Sequence, residues 1–234
     1  MNMNITCVTG YWYVKNKHDE ESFIKWFETS LKVNNPYVVF SNKEGIEIIK
    51  KYRKDIPTYY IELNIEDFYM QKYKDKMTTD NFHCPSIELN MIWNEKILLL
   101  QKAYKLNPFN SDFFCWIDAG ICIYRNRKPP SKPFNVDKIN KLPTDKIIYS
   151  SSQCYNEELV STSKPYHHIS GTSYIIHKNI IDKSVDLYIE YCNNCIAKNN
   201  IWTDQVIWTH IYKDNINHFY KLSDGYGSII KELF

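Results

Sequence analysis

Apolar residues in the first quarter of the chain follow two alternating patterns. Three short apolar runs have the length and the β-branched and aromatic residues of buried strands, at 5–8, 37–40 and 58–63. Between the first two runs, apolar residues recur three and four positions apart over 23–31, which predicts a helix. Ser41 followed by Glu44 is a capping-box signature and predicts a second helix. The order strand, helix, strand, helix, strand favours a parallel sheet with helices on both faces.

A long helix and an abruptly ending strand follow in the middle of the chain. No Gly or Pro interrupts the sequence from Ser86 to about Lys105, and a helix of that length spans about 30 Å. We expect it to be a central helix, with Lys96 outside its apolar face. Residues 113–117 are all apolar and predict a fully buried strand that ends at Asp118.

The remaining pattern is consistent with one continuous fold. Four prolines between Arg125 and Pro143 exclude a continuous helix or strand there and predict a surface excursion. Beyond it we predict strands at 146–149 and 172–177, helices at 179–198 and from Gln205 to about Tyr212, and a last strand and closing helix within 218–234.

Composition narrows the class of protein. A chain of 234 residues and 28.0 kDa buries roughly three quarters of its unfolded surface, and 44% hydrophobic with 15% aromatic residues excludes a disordered chain. The net charge of +2 provides no electrostatic footprint for nucleic acid or anionic lipid, so any phosphate must be bound locally. Seven scattered cysteines predict reduced core thiols, and without a signal peptide or transmembrane run we expect a cytoplasmic protein. The pattern carries no signal for an oligomeric state.

Candidate chemistry concentrates where two predicted parallel strands end. Thr9-Gly10-Tyr11 follows the first strand and Asp118-Ala119-Gly120 follows the fourth, and open parallel sheets bind ligands outside the carboxyl ends of their strands. An acid directly after a buried strand must be hydrogen-bonded or hold a cation, and a turn-capping carboxylate is an equal alternative. One or two carboxylates suffice for a divalent ion that also binds substrate phosphates. The glycines form neither a dinucleotide nor a P-loop motif.

The order of these segments is similar to that of the HtrL/YibB-type proteins, which resemble GT-A glycosyltransferases. The resemblance is carried by the segments 5–11, 37–40, Arg53 with Thr58, 93–96, 116–120, 169–172 and 203–205. It implies an α/β, GT-A-like, Rossmann-type fold with a mixed, mainly parallel sheet and helices on both faces. It further implies a single domain over 1–234, in which 1–124 form the nucleotide-binding half and 125–234 the acceptor-side half.

The same resemblance implies an activity in glycan biosynthesis. A sugar would move from a nucleotide-diphosphate donor, with a UDP-sugar favoured, to a glycan or protein acceptor, assisted by Mn²⁺ or Mg²⁺. Asp118 takes the place of the metal-binding acid, although Trp116 and Gly120 leave one acid where the D-x-D motif has two. His218 is the candidate second ligand, against a partly buried strand histidine as the alternative. The alternative function is an inactive nucleotide-sugar or glycan binding module.

The remaining site residues are also implied by resemblance. Donor binding is expected of Thr9, Gly10, Tyr11, Arg53, Lys96, Asp118, Gly120, Gly171 and Thr172. Tyr11 would stack on the base, unless it is a structural tyrosine. Lys96 would neutralise diphosphate and Arg53 would grip it, although a solvated lysine and an arginine that closes its own helix are alternatives.

Catalysis is expected of Asp204 and Gln205. Asp204 would be the general base of an inverting enzyme, whereas either residue would stabilise an oxocarbenium-like centre in a retaining one. The alternative is that Asp204 only begins a helix.

Two other clusters carry weaker signals. Cys192 and Cys195 form one C-x-x-C inside a helical pattern, which is half of the four ligands that a zinc site needs, so we expect no zinc. Arg125, Arg127 and Lys128 form a short basic cluster that is either a solvated loop or the border of an acceptor site.

Overall fold

One mixed sheet of seven strands organises the protein, whose computed structural model describes residues 3–162 and 166–234. The strands are β1 (Ile5–Tyr11), β2 (Tyr37–Ser41), β3 (Thr58–Glu62), β4 (Phe113–Ile117), β5 (Ile147–Ser151), β6 (Ile169–His177) and β7 (Phe219–Asp224). Their order is β3-β2-β1-β4-β6-β5-β7. In this described part of the chain, β6 alone runs antiparallel to its neighbours. The predicted mixed, mainly parallel sheet is confirmed.

Helices cover both faces of the sheet, as predicted. The helices are α1 (Glu20–Ser30), α2 (Lys43–Lys50), α3 (Ile87–Leu106), α4 (Val136–Ile139), α5 (Glu157–Thr162), α6 (Ile181–Ala197), α7 (Asp204–Asp214) and α8 (Ile229–Glu232). One core lies between the sheet and α3, α6 and α7, and a second lies between the sheet and α1, α2, α4 and α8. Alternate residues of one strand feed the two cores, Phe114 and Trp116 on one side of β4 and Cys115 on the other. None of the described helices is both long and apolar enough to cross a bilayer.

The residues that cap α2 and α3 were only partly predicted from the sequence. The predicted long helix is confirmed as α3, and Ser86 caps it, because the Ser86 hydroxyl accepts the Leu89 N–H at 3.2 Å. The predicted capping box at Ser41 is wrong. Ser41 is the last residue of β2, and the next residue, Asn42, caps α2 by accepting the Gly45 N–H at 3.0 Å. Asn caps a helix as well as Ser does, so the strand extends by one residue at no cost to the cap.

The register brings three chain segments to one edge of the sheet. Val8 pairs with Trp116 in the parallel β1–β4 ladder, and Ile117 pairs with Ser173 in the antiparallel β4–β6 ladder. The carboxyl ends of β1 and β4 therefore lie beside the amino end of β6. Asp118 extends this contact, because its backbone N–H donates to the Thr172 carbonyl at 3.0 Å.

Candidate active site

A cavity of about 830 Å³ opens at this edge of the sheet. Its volume lies within the range of roughly 300–1,000 Å³ that is typical of small-molecule sites. The predicted site residues that line it are Gly10, Tyr11, Lys96, Asp118, Gly120, Gly171, Thr172, Asp204 and Gln205. The structure thus brings together residues from β1, α3, β6, α7 and the end of β4.

Lys96 lies at the floor of this cavity, between two acids. Its side chain projects from the middle of α3 and the residue is 4% exposed. Its Nζ lies 3.1 Å from Asp118 Oδ1 and 3.1 Å from Asp204 Oδ2, and it donates a hydrogen bond of 2.9 Å to the Gly171 carbonyl. We call Lys96, Asp118 and Asp204 the acid–lysine cluster. The solvated helix lysine considered from the sequence is not what the structure shows.

The charges of the cluster shift the proton affinity of its members. Burial raises the pKa of Asp204 to about 6, with the charge of Asp118 adding to the rise and that of Lys96 opposing it. Burial alone would lower the pKa of Lys96, but the carboxylates of Asp118 and Asp204 outweigh burial and raise it. Asp204 Oδ2 is buried and ion-paired, yet no donor is directed at it as a hydrogen bond. It is therefore an oxygen that can accept a proton near neutral pH.

Asp204 is held in place from two directions. It is the first residue of α7, where the helix dipole stabilises a carboxylate. The preceding segment is fixed to α3 by two buried amides. Asn94 Nδ2 donates to the Trp202 carbonyl at 3.0 Å, and Asn90 Nδ2 donates to the Ile201 carbonyl at 3.1 Å. These contacts determine where α7 begins, and hence where its first carboxylate lies.

Glycine is required at position 171 because the side chains of Asp204 and Gln205 lie close to its backbone. A Cβ at this position would lie 2.5 Å from Asp204 Oδ2 and 2.7 Å from Gln205 Cγ, well inside van der Waals contact. The Gly171 N–H also donates to Gln205 Oε1 at 3.1 Å, and this bond orients the Gln205 amide. A residue without a side chain thus positions both predicted catalytic groups.

Asp118 does not cap the turn that follows it. Its Oδ1 accepts the indole N–H of Trp116 at 2.8 Å and faces Lys96, while the turn is closed by the backbone carbonyl of Asp118. The Asp118 side chain is 30% exposed and lines the cavity. The equal alternative considered from the sequence, a turn-capping carboxylate, is not observed.

Arg53 lies outside the cavity, and the prediction that it grips phosphate is wrong. It is 1% exposed, and its guanidinium donates to the carbonyls of Leu31, Val33 and Asn35. Its Nε donates to the Thr58 hydroxyl at 2.9 Å. These groups use its donors, so Arg53 joins chain segments behind the sheet edge.

His218 is at the opposite edge of the sheet, which overturns its assignment as a metal ligand beside Asp118. It immediately precedes β7, and the parallel register pairs Phe219 with Ile147 at the start of β5. The amino ends of these strands lie across the sheet from the carboxyl end of β4. His218 is partly buried, as the alternative expected, but it ends a short 3-10 turn before the strand and does not lie in it.

The residues at the end of β1 have more structural roles than the sequence indicated. Thr9 is fully buried inside the strand and does not line the cavity. Tyr11 lines the cavity but is 6% exposed, with its ring centroid 4.9 Å from that of Phe27. This packing corresponds to the structural tyrosine considered as the alternative to base stacking. Gly10 leaves room for Trp12, because a Cβ would lie 2.5 Å from Trp12 Cζ3.

A basic group that the sequence interpretation identified only in part, through Arg125, lies in the cavity wall. Lys17, His18 and Arg125 all line it, and neither Lys17 nor Arg125 forms an ion pair with a described carboxylate. The Arg125 guanidinium carbon lies 3.7 Å from the ring centroid of Trp26, and its Nε donates to the Gly120 carbonyl at 3.0 Å. Partial burial and the charge of Arg125 lower the pKa of Lys17. We call Lys17, His18 and Arg125 the basic wall.

The basic wall was detectable in the sequence. Lys17 and His18 lie in the loop after the first strand, where open sheets bind ligands, and Arg125 belonged to the basic cluster noted beside the prolines.

The residues present do not fit the predicted divalent ion. The expected pair Asp118 and His218 is split between opposite edges of the sheet. The acids that do meet, Asp118 and Asp204, are already bridged by the Lys96 ammonium. Within the described ranges, no group of three or more His, Cys, Asp or Glu side chains is arranged to hold a metal ion. A metal beside Asp118 would have to compete with a tethered cation for the same carboxylate.

The sheet and the cavity at its strand ends define an α/β protein with a GT-A-like fold. Core-mannan synthase A (CmsA/Ktr4) from Aspergillus fumigatus, solved in an Mn/GDP form, has a similar fold, with a TM-score of 0.50 at 8% identity over 94% of this chain and 72% of that chain. A 4-diphosphocytidyl-2C-methyl-D-erythritol synthase from Anaerococcus prevotii DSM 20548 matches with a TM-score of 0.43 at 10% identity over 97% of this chain and 91% of that chain. No curated protein matches the sequence.

The family of the chain is shown by its sequence. Residues 48–229 match the family model described as "Bacterial protein of unknown function (HtrL_YibB)", and the chain belongs to this family.

Proposed function

We propose that the protein is a glycosyltransferase that moves a sugar from a nucleotide-diphosphate donor to a glycan or protein acceptor. The observation that carries the proposal is the acid–lysine cluster at the floor of the cavity, with the basic wall beside it. An acid with raised proton affinity, next to a separate site for anions, is what sugar transfer from a diphosphate requires. In this proposal residues 1–124 provide most of the nucleotide site, to which Arg125 adds, and the rest of 125–234 contributes the acceptor side.

Asp204 is the proposed general base. As the acceptor hydroxyl oxygen attacks C1 of the donor sugar, its proton passes to Asp204, the bond from C1 to the diphosphate oxygen breaks, and the electron pair leaves with the diphosphate. A buried carboxylate with a pKa of about 6 is well matched to this task at neutral pH. In a retaining enzyme, Asp204 or the oriented amide of Gln205 would instead stabilise the oxocarbenium-like centre.

The basic wall is the proposed diphosphate site. Among the described residues, no carboxylate forms an ion pair with Lys17 or Arg125, and the Trp26 stack holds the Arg125 guanidinium in one orientation. Arg binds phosphate oxygens bidentately, which suits a pyrophosphate. Gly120 supports the same wall, since its carbonyl accepts Arg125 Nε.

Donor binding tests the proposal first. We expect at least one UDP- or GDP-sugar to raise the melting temperature of the purified chain, with UDP-sugars the first candidates and CMP-sugars, which carry a single phosphate, as the comparison. A ligand at 100 times its Kd adds about 2.7 kcal/mol, or about 5 to 10 °C for a chain of this size. No shift with any donor would contradict the proposal.

Turnover separates the enzyme from a binding module of the same fold. We expect donor hydrolysis or transfer by the wild type, and a loss of about 10²–10⁴-fold in kcat in Asp204→Asn with the donor Kd within a fewfold. Asp186→Asn, at an exposed position of α6, is the matched control and should behave as wild type. Binding without turnover in the wild type would instead identify a nucleotide-sugar binding module.

A further inference from the structure

We propose that Lys96 takes the place of a divalent cation in this cavity, so that the protein binds and uses nucleotide diphosphates without a metal ion. This inference rests on the proposed function and concerns the same site. It starts from the position of Lys96, whose Nζ lies 3.1 Å from an oxygen of each of two acids from different parts of the fold.

Three oxygens surround the Lys96 ammonium. It donates a hydrogen bond to the Gly171 carbonyl and is ion-paired with Asp118 Oδ1 and Asp204 Oδ2. Two carboxylates facing each other without a cation are the arrangement that attracts a hard divalent ion. With Lys96 between them, the net charge of the cluster is −1 instead of −2.

Lys96 is also difficult to displace. It is anchored in the middle of α3, a helix of 20 residues, and its Nζ lies 5.8 Å from the Trp116 ring centroid. The side chain is 5% exposed, so a metal ion from solution cannot replace the ammonium unless the side chain leaves a buried position. Because the ammonium is part of the chain, it occupies the site at an effective concentration set by its short tether and does not diffuse away.

The second task of a metal, neutralising the diphosphate, falls to other residues. Lys17 and Arg125 line the same cavity, and neither forms an ion pair with a carboxylate in the described part of the chain. Lys96 neutralises the acids and the basic wall neutralises the phosphates, so both charge requirements are met by side chains. Asp118 then serves to hold Lys96, which explains why a single acid after β4 is sufficient here.

The experiment titrates Mn²⁺ alone into three proteins by calorimetry. The proteins are wild type, Lys96→Met, and the control Lys105→Met, which removes the same charge from a 61% exposed side chain of the same helix. We expect Lys96→Met to bind Mn²⁺ at least tenfold more tightly than the other two, because its paired acids then lack a cation. Equal or weaker binding in Lys96→Met would overturn the inference.

A second measurement needs only the wild type and so survives a variant that does not fold. We expect the Kd of UDP and of GDP, whichever binds, to change less than twofold between EDTA and millimolar Mn²⁺. Nucleotide binding that is lost in EDTA and restored by Mn²⁺ would refute the inference. If neither nucleotide binds in either condition, the proposed function fails instead, while the Mn²⁺ titration still decides the role of Lys96.

Discussion

Arg53 and Lys96 are both buried cations that the sequence assigned to phosphate, and their surroundings separate them. Arg53 is surrounded by neutral acceptors, three carbonyls and a hydroxyl, and burial lowers its pKa. Lys96 faces two carboxylates at the wall of a cavity, and these acids raise its pKa despite burial. A buried cation that is surrounded by carbonyls, such as Arg53, joins chain segments. A buried cation that faces more than one acid beside a cavity, such as Lys96, marks a candidate functional site.

The largest effects should come from removing each cation in turn. Arg53→Met leaves buried carbonyls without donors and should cost about 3–5 kcal/mol in the free energy of unfolding, with the nucleotide Kd of the folded protein unchanged within twofold. Lys96→Met leaves two acids without a cation and should cost a similar amount, about 3–5 kcal/mol, and also abolish turnover. Urea denaturation and donor titration measure the two properties. A folded Arg53→Met protein that binds the donor tenfold more weakly would contradict the structural role of Arg53.

Glu95 is a buried acid on the same helix as Lys96. We expect it to have the next largest effect, on how the free energy of unfolding depends on pH. It precedes Lys96 on α3 but faces away from the cavity, and it accepts the N–H groups of Tyr69 and Met70 at 3.2 and 3.0 Å. Burial raises its pKa to about 7, although those N–H groups and Lys102 oppose the rise. Between pH 4.5 and 7 the folded protein therefore holds a proton that the unfolded chain has lost.

The sign of this effect is a loss of stability as pH rises. The contribution of Glu95 is fully present below pH 4.5 and is lost as the pH rises through about 7, a change of about 3 kcal/mol at most. Urea unfolding at a series of pH values should show this slope in the wild type and a flatter one in Glu95→Gln. Turnover at pH 7 should be the same in both proteins. A variant as pH-dependent as the wild type would contradict the assignment.

Gly171→Ala should have the smallest effect on stability and act mainly on turnover. The added methyl group meets Asp204 Oδ2 and Gln205 Cγ, so the acid must move by a fraction of an ångström or more. Overpacking of this kind costs about 1–3 kcal/mol, and a small misplacement of a catalytic group costs up to about 10²-fold in kcat. Steady-state kinetics should show a lower kcat with little change in the KM of the donor. A changed KM with an unchanged kcat would place Gly171 in donor binding only.

The features predicted correctly from the sequence are those that depend on residues close together along the chain. The end of β4 at Asp118, the start of α3 after Ser86 and the alternation of strands and helices all follow from residues close together along the chain. Long-range pairing decided the rest. His218 lies across the sheet because β7 pairs in parallel with β5, and that pairing has no local signature.

Lys96 shows the limit of reading a helix by its apolar face. Its position lies outside the apolar stripe, which predicts solvent exposure, yet the region that it faces is a cavity lined by acids. Arg53 shows the converse, because hydrogen bonds to distant carbonyls bury a charge that the helix pattern placed at an end. Neither outcome is visible before the segments 31–35 and 204–205 are brought into place.

The reversed direction of β6 decides which connection of the chain borders the cavity. Because this strand enters the sheet at the cavity, the segment leading into it, and not one leaving it, forms part of the wall, with Gln153, Leu159, Tyr166 and His167 among its lining residues. That connection belongs to neither the Lys96 helix nor the turn after β4. A change in its length or composition would therefore alter the lining of the cavity without changing the elements that carry Lys96, Asp118 and Asp204.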